Sequence, residues 1–109
     1  MILITGGTGF LGSTLIKLLI EQGHAVVATK RPSSAIPDML KSSSLIEWVD
    51  ADITDYFALA EIFPNISQVY HCAAKVSYQK EDAQEMFLAN VEGTAHIVNL
   101  CLEHHARLV

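Results

Sequence analysis

The chain has 109 residues, half of them hydrophobic and 17% charged, which is enough for one domain with a packed core and too apolar for a disordered segment. Its net charge of −5 gives no general electrostatic reason to bind nucleic acid, so any affinity for phosphate must be local. No basic leader precedes the apolar start and no stretch reaches membrane-spanning length, so no signal peptide or membrane anchor is expected and the expected location is cytoplasmic.

Met1-Ile2-Leu3-Ile4 reads as strand one and runs directly into Thr5-Gly6-Gly7-Thr8-Gly9-Phe10-Leu11-Gly12. Leu11, Leu15, Leu18 and Leu19 then repeat at helical spacing opposite a Ser13, Lys17 and Glu21 stripe, predicting an amphipathic helix over about 11–22 that Gly23 ends. The apolar, β-branched run Ala25 to Thr29 is strand two, buried on both faces. Pro32, Ser33, Ser34 and Pro37, then Lys41 to Ser44, are loops around a short helix, and Leu45 to Val49 is strand three.

Asp55 is placed to cap a helix over Tyr56 to Phe63 that Pro64 terminates, and Gln68 to Cys72 is strand four. From about Asp82 to His104 the pattern is helical again. Val91, Ala95, Val98 and Leu102 are expected to face inward, and Glu92, His96, Asn99 and Glu103 outward. Gly93 inside this helix implies close approach of another backbone or a ligand, or else a break between two helices. Strands alternating with helices predict an α/β fold, a doubly wound parallel sheet of the Rossmann type.

The three glycines have separate mechanical reasons. Gly6 permits a tight turn at the strand end, Gly9 lets the backbone approach a pyrophosphate, and Gly12 lets the helix pack on the sheet. Phosphate placed there meets the unpaired N–H groups and the positive end of the helix dipole. An ordinary glycine-rich loop is the alternative, and the flanking strand and helix favour the dinucleotide turn. Cys72 and Cys101 lie in apolar segments without metal-ligand spacing, so buried thiols are expected and no metal site is. His104 and His105 are adjacent at a helix end and do not share a face, and His71 reads as a plain strand-end residue.

Four motifs in order make the chain resemble the extended short-chain dehydrogenase/reductase family, also called NAD-dependent epimerase/dehydratase. They are Thr5 to Gly12, Asp52-Ile53 past strand three, His71-Cys72-Ala73-Ala74 ending strand four, and Asn90-Val91-Glu92-Gly93-Thr94 in the long helix. The resemblance implies that Gly6, Gly9, Phe10 and Leu11 line the pyrophosphate and that Asp52 and Ile53 hold the adenine, with Asp52 accepting from its exocyclic amine. A plain helix-capping role for Asp52 and Asp55 is the other reading. Ala73, Ala74 and Lys75 would lie along the cofactor's central part and nicotinamide ribose, close packing against the first strand being the other, compatible reading, and Asn90, turned inward, would support the active-site framework; a solvent-facing Asn90 is the alternative. Ser77 and Tyr78 follow and would border a substrate cavity, or be an ordinary loop.

An NAD-selective site presents a carboxylate about twenty residues past the glycines, where this chain has Thr29-Lys30-Arg31. The Arg31 guanidinium can grip a 2′-phosphate with two parallel hydrogen bonds and Lys30 can add charge, so NADP(H) is expected over NAD(H); a solvated basic loop is the alternative.

The family's Tyr-x-x-x-Lys pair is missing. Four residues after Tyr56, Tyr70 and Tyr78 stand Ala60, Ala74 and Asp82. Arg107-Leu108-Val109 reads as the start of strand five, so residues 1–109 resemble the N-terminal, cofactor-binding part of a larger enzyme, expected to be inactive alone. Dihydroflavonol-reductase-like and hydroxysteroid-dehydrogenase-like members resemble the chain at Arg31, implying hydride transfer to or from a carbonyl or secondary alcohol. A nucleotide-sugar epimerase or dehydratase, or a non-catalytic dinucleotide-binding module, is the rival. With strand four expected at the sheet edge, marginal stability or self-association is expected of this part.

Overall fold

In the computed structural model, which describes residues 1–74 and 79–109, the chain runs β1 (Ile2–Thr5), α1 (Phe10–Glu21), β2 (Val26–Lys30), a 3-10 turn at Asp38–Leu40, β3 (Ile46–Asp50), α2 (Tyr56–Ile62) and β4 (Gln68–His71). A helical stretch follows without interruption: a 3-10 turn at Lys80–Asp82, α3 (Ala83–Phe87), a π turn at Leu88–Glu92 and α4 (Gly93–His104). Then comes β5 (Arg107–Leu108). The five strands form one sheet in the order β3-β2-β1-β4-β5, and every pairing is parallel. Consecutive strands extend one way from β1 and then the other, so the expected doubly wound fold is present.

Successive residues on a strand face opposite sides, and both sides of this sheet are covered. Leu3, Val27 and Val69, in register on neighbouring strands, pack with Leu59 and Phe63 and with Ile97 and Leu100 of α4. Ile4, Val26 and Ala28 on the other face pack with Ile16 of α1 and Leu40. That double burial is why the strands are aliphatic runs with little alternation.

Four expectations are corrected here. β4 is not an edge, because Gln68 and Val69 pair with Arg107 and Leu108, and β5 takes the edge. On α1, Gly12, Ser13 and Ile16 are buried while Leu11 and Leu18 are exposed. A Cβ on Gly12 would come within 2.1 Å of the Gly6 carbonyl oxygen, so the helix meets the bend through its smallest residues, which sets its rotation. The Ser13 hydroxyl tolerates burial by donating to the Phe10 carbonyl at 3.2 Å.

On α4 the inward residues are Gly93, Ile97, Leu100 and Cys101, not Val91, Ala95, Val98 and Leu102, of which Val91, Val98 and Leu102 are exposed. The π turn takes an extra residue into one helical turn and so changes the phase of every face after it. Gly93 neither breaks the helix nor meets a backbone. A Cβ there would lie 2.7 Å from Ile53 Cδ1, so glycine admits the Ile53 side chain.

Other local features follow the sequence. Gly23, at φ +85°, ends α1 with His24 N–H bonded to the Leu19 carbonyl and Gly23 N–H to that of Ile20. Asp55 caps α2, its carboxylate accepting from Ala58 N–H at 3.2 Å. His104 packs its ring on Phe63, and His105 takes the left-handed position that closes α4.

Candidate functional site

A cleft of about 390 Å³ opens beyond the C-terminal ends of the strands, the crevice where open α/β sheets bind ligands. Its floor is the bend after β1. Gly6 takes φ +67°, and a Cβ on it would lie 2.7 Å from the Ala73 backbone, so the turn needs glycine for conformation and for room. Gly7 N–H reaches the Thr29 carbonyl at 3.0 Å and Gly9 N–H the Gly6 carbonyl at 3.1 Å, tying the bend to β2 and to itself.

Gly9 differs. Among the described residues its only neighbour for an added Cβ is the Gly6 carbonyl oxygen at 3.5 Å, an ordinary contact, and none of their side chains caps α1, which it precedes. Internal packing therefore does not account for this glycine. The first helix N–H groups beside it have no side-chain cap among the described residues.

One side wall comes from the ends of β2 and β3. Lys30 and Arg31 both line it. The Lys30 ammonium is 2.8 Å from the Asp50 carboxylate directly across the strand pair, and Arg31 makes no ion pair among the described residues. Asp52 and Ile53 line the same wall, Asp52 accepting from Thr54 N–H at 3.0 Å and Thr54 Oγ1 at 2.8 Å, both on Oδ1. α4 holds this segment from behind, with the Ile53 side chain against Gly93 and His96 donating from Nδ1 to the Ile53 carbonyl at 3.0 Å.

The other wall is Cys72, Ala73 and Ala74, roofed by Glu85, Leu88 and Ala89. His71 fixes it. Ala73 N–H donates to Thr5 Oγ1 at 3.2 Å, Thr5 Oγ1 lies 2.7 Å from His71 Nδ1, and His71 Nε2 lies 2.9 Å from Thr94 Oγ1. The assignment that satisfies all three has the Thr5 hydroxyl donating to Nδ1 and a neutral ring donating from Nε2. Burial disfavours the imidazolium and lowers the His71 pKa below its ordinary value. Burial also raises the Cys72 pKa above its ordinary value, although this thiol is only half-buried on the cleft wall where full burial was expected.

Of the residues singled out in the sequence, Gly6, Gly9, Lys30, Arg31, Asp52, Ile53, Ala73 and Ala74 line the cleft. Phe10, Leu11 and Gly12 do not: Gly12 is buried behind the bend, and the side chains of Phe10 and Leu11 are exposed at the start of α1. Asn90 is exposed on the π turn, which corrects its expected inward orientation, while its neighbours Leu88 and Ala89 reach the cleft. Lys75, Ser77 and Tyr78 lie outside the described residues. The sequence marked Thr8 and Cys72 only as members of their motifs, gave Ser34, Thr54, Glu85, Leu88 and Ala89 no place in the site, and gave His71 no role. His71 precedes the Ala73-Ala74 motif, which was its one signal. The roof residues had none, because only the folded helix brings them over the sheet.

The family model described as "NAD dependent epimerase/dehydratase family" matches residues 2–109. The chain belongs to the NAD dependent epimerase/dehydratase family. Among curated relatives, the sterol-4-alpha-carboxylate 3-dehydrogenase (decarboxylating) of Dictyostelium discoideum is 32% identical over 100 residues, covering 92% of this chain and 30% of that protein. The UDP-glucose 4-epimerase of Mycolicibacterium smegmatis is 38% identical over 103 residues, covering 87% and 32%. Among solved structures, the Bordetella bronchiseptica enzyme WbmG in complex with NAD and UDP superposes with a TM-score of 0.85 at 28% identity, covering 98% of this chain and 35% of that one.

The chain thus spans about a third of the length of these relatives. Membership of the NAD dependent epimerase/dehydratase family agrees with the four motifs, and the solved structure that the chain superposes on holds NAD. Among the described residues no helix is long and apolar enough to cross a membrane, and no group of three or more His, Cys, Asp or Glu is placed to hold a metal ion.

Proposed function

We propose that residues 1–109 form the NADP(H)-binding part of an oxidoreductase that moves hydride between NADP(H) and a carbonyl or secondary alcohol. The cleft suits a dinucleotide on two counts: Gly9 leaves open room at an uncapped helix N-terminus, and the Asp52 carboxylate keeps Oδ2 without a hydrogen-bond partner among the described residues for an adenine amine. The bound nicotinamide would supply the hydride chemistry. This part of the chain binds and orients it, since no Tyr-x-x-x-Lys spacing occurs in residues 1–109 and proton transfer needs groups from elsewhere.

The observation that carries NADP(H) over NAD(H) is Arg31, a guanidinium on the cleft wall at the end of β2 with no ion pair among the described residues. The same point favours reductase chemistry over the epimerase reading, which is supported by the family description, by likeness to the M. smegmatis protein and by the UDP in the WbmG complex. Titration of NADPH and NADH into the full-length protein, followed by the fluorescence of the single tryptophan, Trp48, tests it; the Trp48 ring packs against Gly7 in the bend. NADPH is expected to bind at least about tenfold tighter, and Arg31→Ala to remove that margin. Equal affinities, or a margin that survives Arg31→Ala, would refute the preference.

A further inference from the structure

Two cations stand at the end of β2, and the structure treats them differently. The Lys30 side chain is only 13% exposed, with Nζ 2.8 Å from Asp50 Oδ1 and 3.5 Å from the Arg31 carbonyl oxygen. Lys30 lines the cleft, whereas Asp50 lies outside its lining. Asp50 sits at the register position opposite Lys30, at the end of β3, with 55% of its side chain exposed. The Lys30 backbone is pinned as well, its carbonyl accepting from Ala51 N–H at 2.9 Å. Arg31, one residue on, has its carbonyl held in the same way, by Ser34 N–H at 2.9 Å, but its guanidinium makes no ion pair among the described residues, and both residues line the cleft.

We propose that Asp50 is a specificity-determining residue that acts through Lys30: it holds the ammonium out of the cleft, so that Arg31 alone discriminates for the 2′-phosphate. The physical reason is desolvation. An ammonium this far from water needs a close counter-charge, and Asp50 is the only carboxylate paired with it among the described residues. To serve a ligand phosphate, Lys30 must give up that partner and leave Asp50 unpaired beside a newly bound anion. Selectivity is therefore held below what two free cations at this wall would give. The inference rests on the NADP(H) reading above and adds a residue to it.

Asp50→Asn in the full-length protein removes the restraint while keeping shape. NADPH and NADH affinities, measured by titration calorimetry, give the ratio that decides. The NADPH/NADH affinity ratio is expected to rise about tenfold or more in Asp50→Asn, the effect of one added hydrogen bond to a charged group, and to fall back in the double variant Asp50→Asn/Lys30→Gln. The NADPH affinity of Asp50→Asn should also fall more steeply with added salt. An unchanged ratio in Asp50→Asn, alongside a collapsed one in Arg31→Ala, overturns the inference and leaves the NADP(H) reading standing. A gain that persists in the double variant overturns it too, since general relief of negative charge would then be the cause. If Arg31→Ala leaves the ratio intact, both fail together. Should Asp50→Asn not fold, Asp50→Ser serves with the same expected outcomes.

Discussion

The two sides of the cleft are built from different materials. The floor and the Ala73 wall are backbone, locked by glycines and by the Thr5, His71 and Thr94 hydrogen bonds, whereas the wall at the ends of β2 and β3 is made of charged side chains. On the backbone side, folding and binding depend on the same residues, because the atoms that would face a phosphate are held by close packing. On the side-chain side they separate, because Arg31 is exposed and holds no element in place. The bend is therefore the expensive part of the site to change, and the charged wall the cheap one.

The largest effect that sharpens this contrast is expected for Gly12→Val. Its Cβ would meet the Gly6 carbonyl oxygen at 2.1 Å, so α1 must move off the bend, with a loss of about 3 kcal/mol or more in urea unfolding and no measurable dinucleotide binding. His71→Phe comes next. It leaves the Thr5 and Thr94 hydroxyls without the ring between them, at a cost of about 1–3 kcal/mol.

The same variant tests the pH dependence. Because burial lowers the folded-state pKa of His71, the unfolded chain takes up this proton first as pH falls. The His71 contribution is full above the ordinary histidine value of 6.5, is lost as pH drops from there towards the folded pKa, and then levels off. Melting curves between about pH 7.5 and 5 should show that loss in the parent and a smaller one in His71→Phe.

Gly9→Ala separates the two roles within the bend itself. With only an ordinary 3.5 Å contact for the new Cβ, stability should change by less than about 1 kcal/mol while dinucleotide affinity falls about tenfold or more. A destabilised Gly9→Ala, or one that binds normally, would break the contrast. The smallest effect is expected on the other wall, where Arg31→Ala should leave the unfolding midpoint unchanged within about 0.5 kcal/mol.

Much of this was legible in the chain because local chemistry over-determined it. Glycines at Gly6, Gly9 and Gly12 between an aliphatic run and a helix, Asp55 before a helix, and Gly23 after one each specify a backbone conformation within a few residues. The element order that follows leaves a doubly wound parallel sheet as the simplest way to bury both faces. The rotation of the helices was not legible. α1 and α4 each carry two plausible apolar stripes, and periodicity cannot choose between Val91, Val98 and Leu102 and the true inward set of Ile97, Leu100 and Cys101.

The sequence by itself determined which residues bend, cap and extend, and so the topology and the position of the glycine-rich turn. Only the tertiary structure decided which face of each helix is buried, that Gly93 makes room for Ile53, that His71 bridges three elements, and that Lys30 but not Arg31 is paired with a carboxylate. The reason is range. Turns and caps are settled by contacts within about four residues, whereas helix rotation and charge pairing depend on neighbours brought together across the sheet, such as Asp50 opposite Lys30, whose register no local pattern encodes.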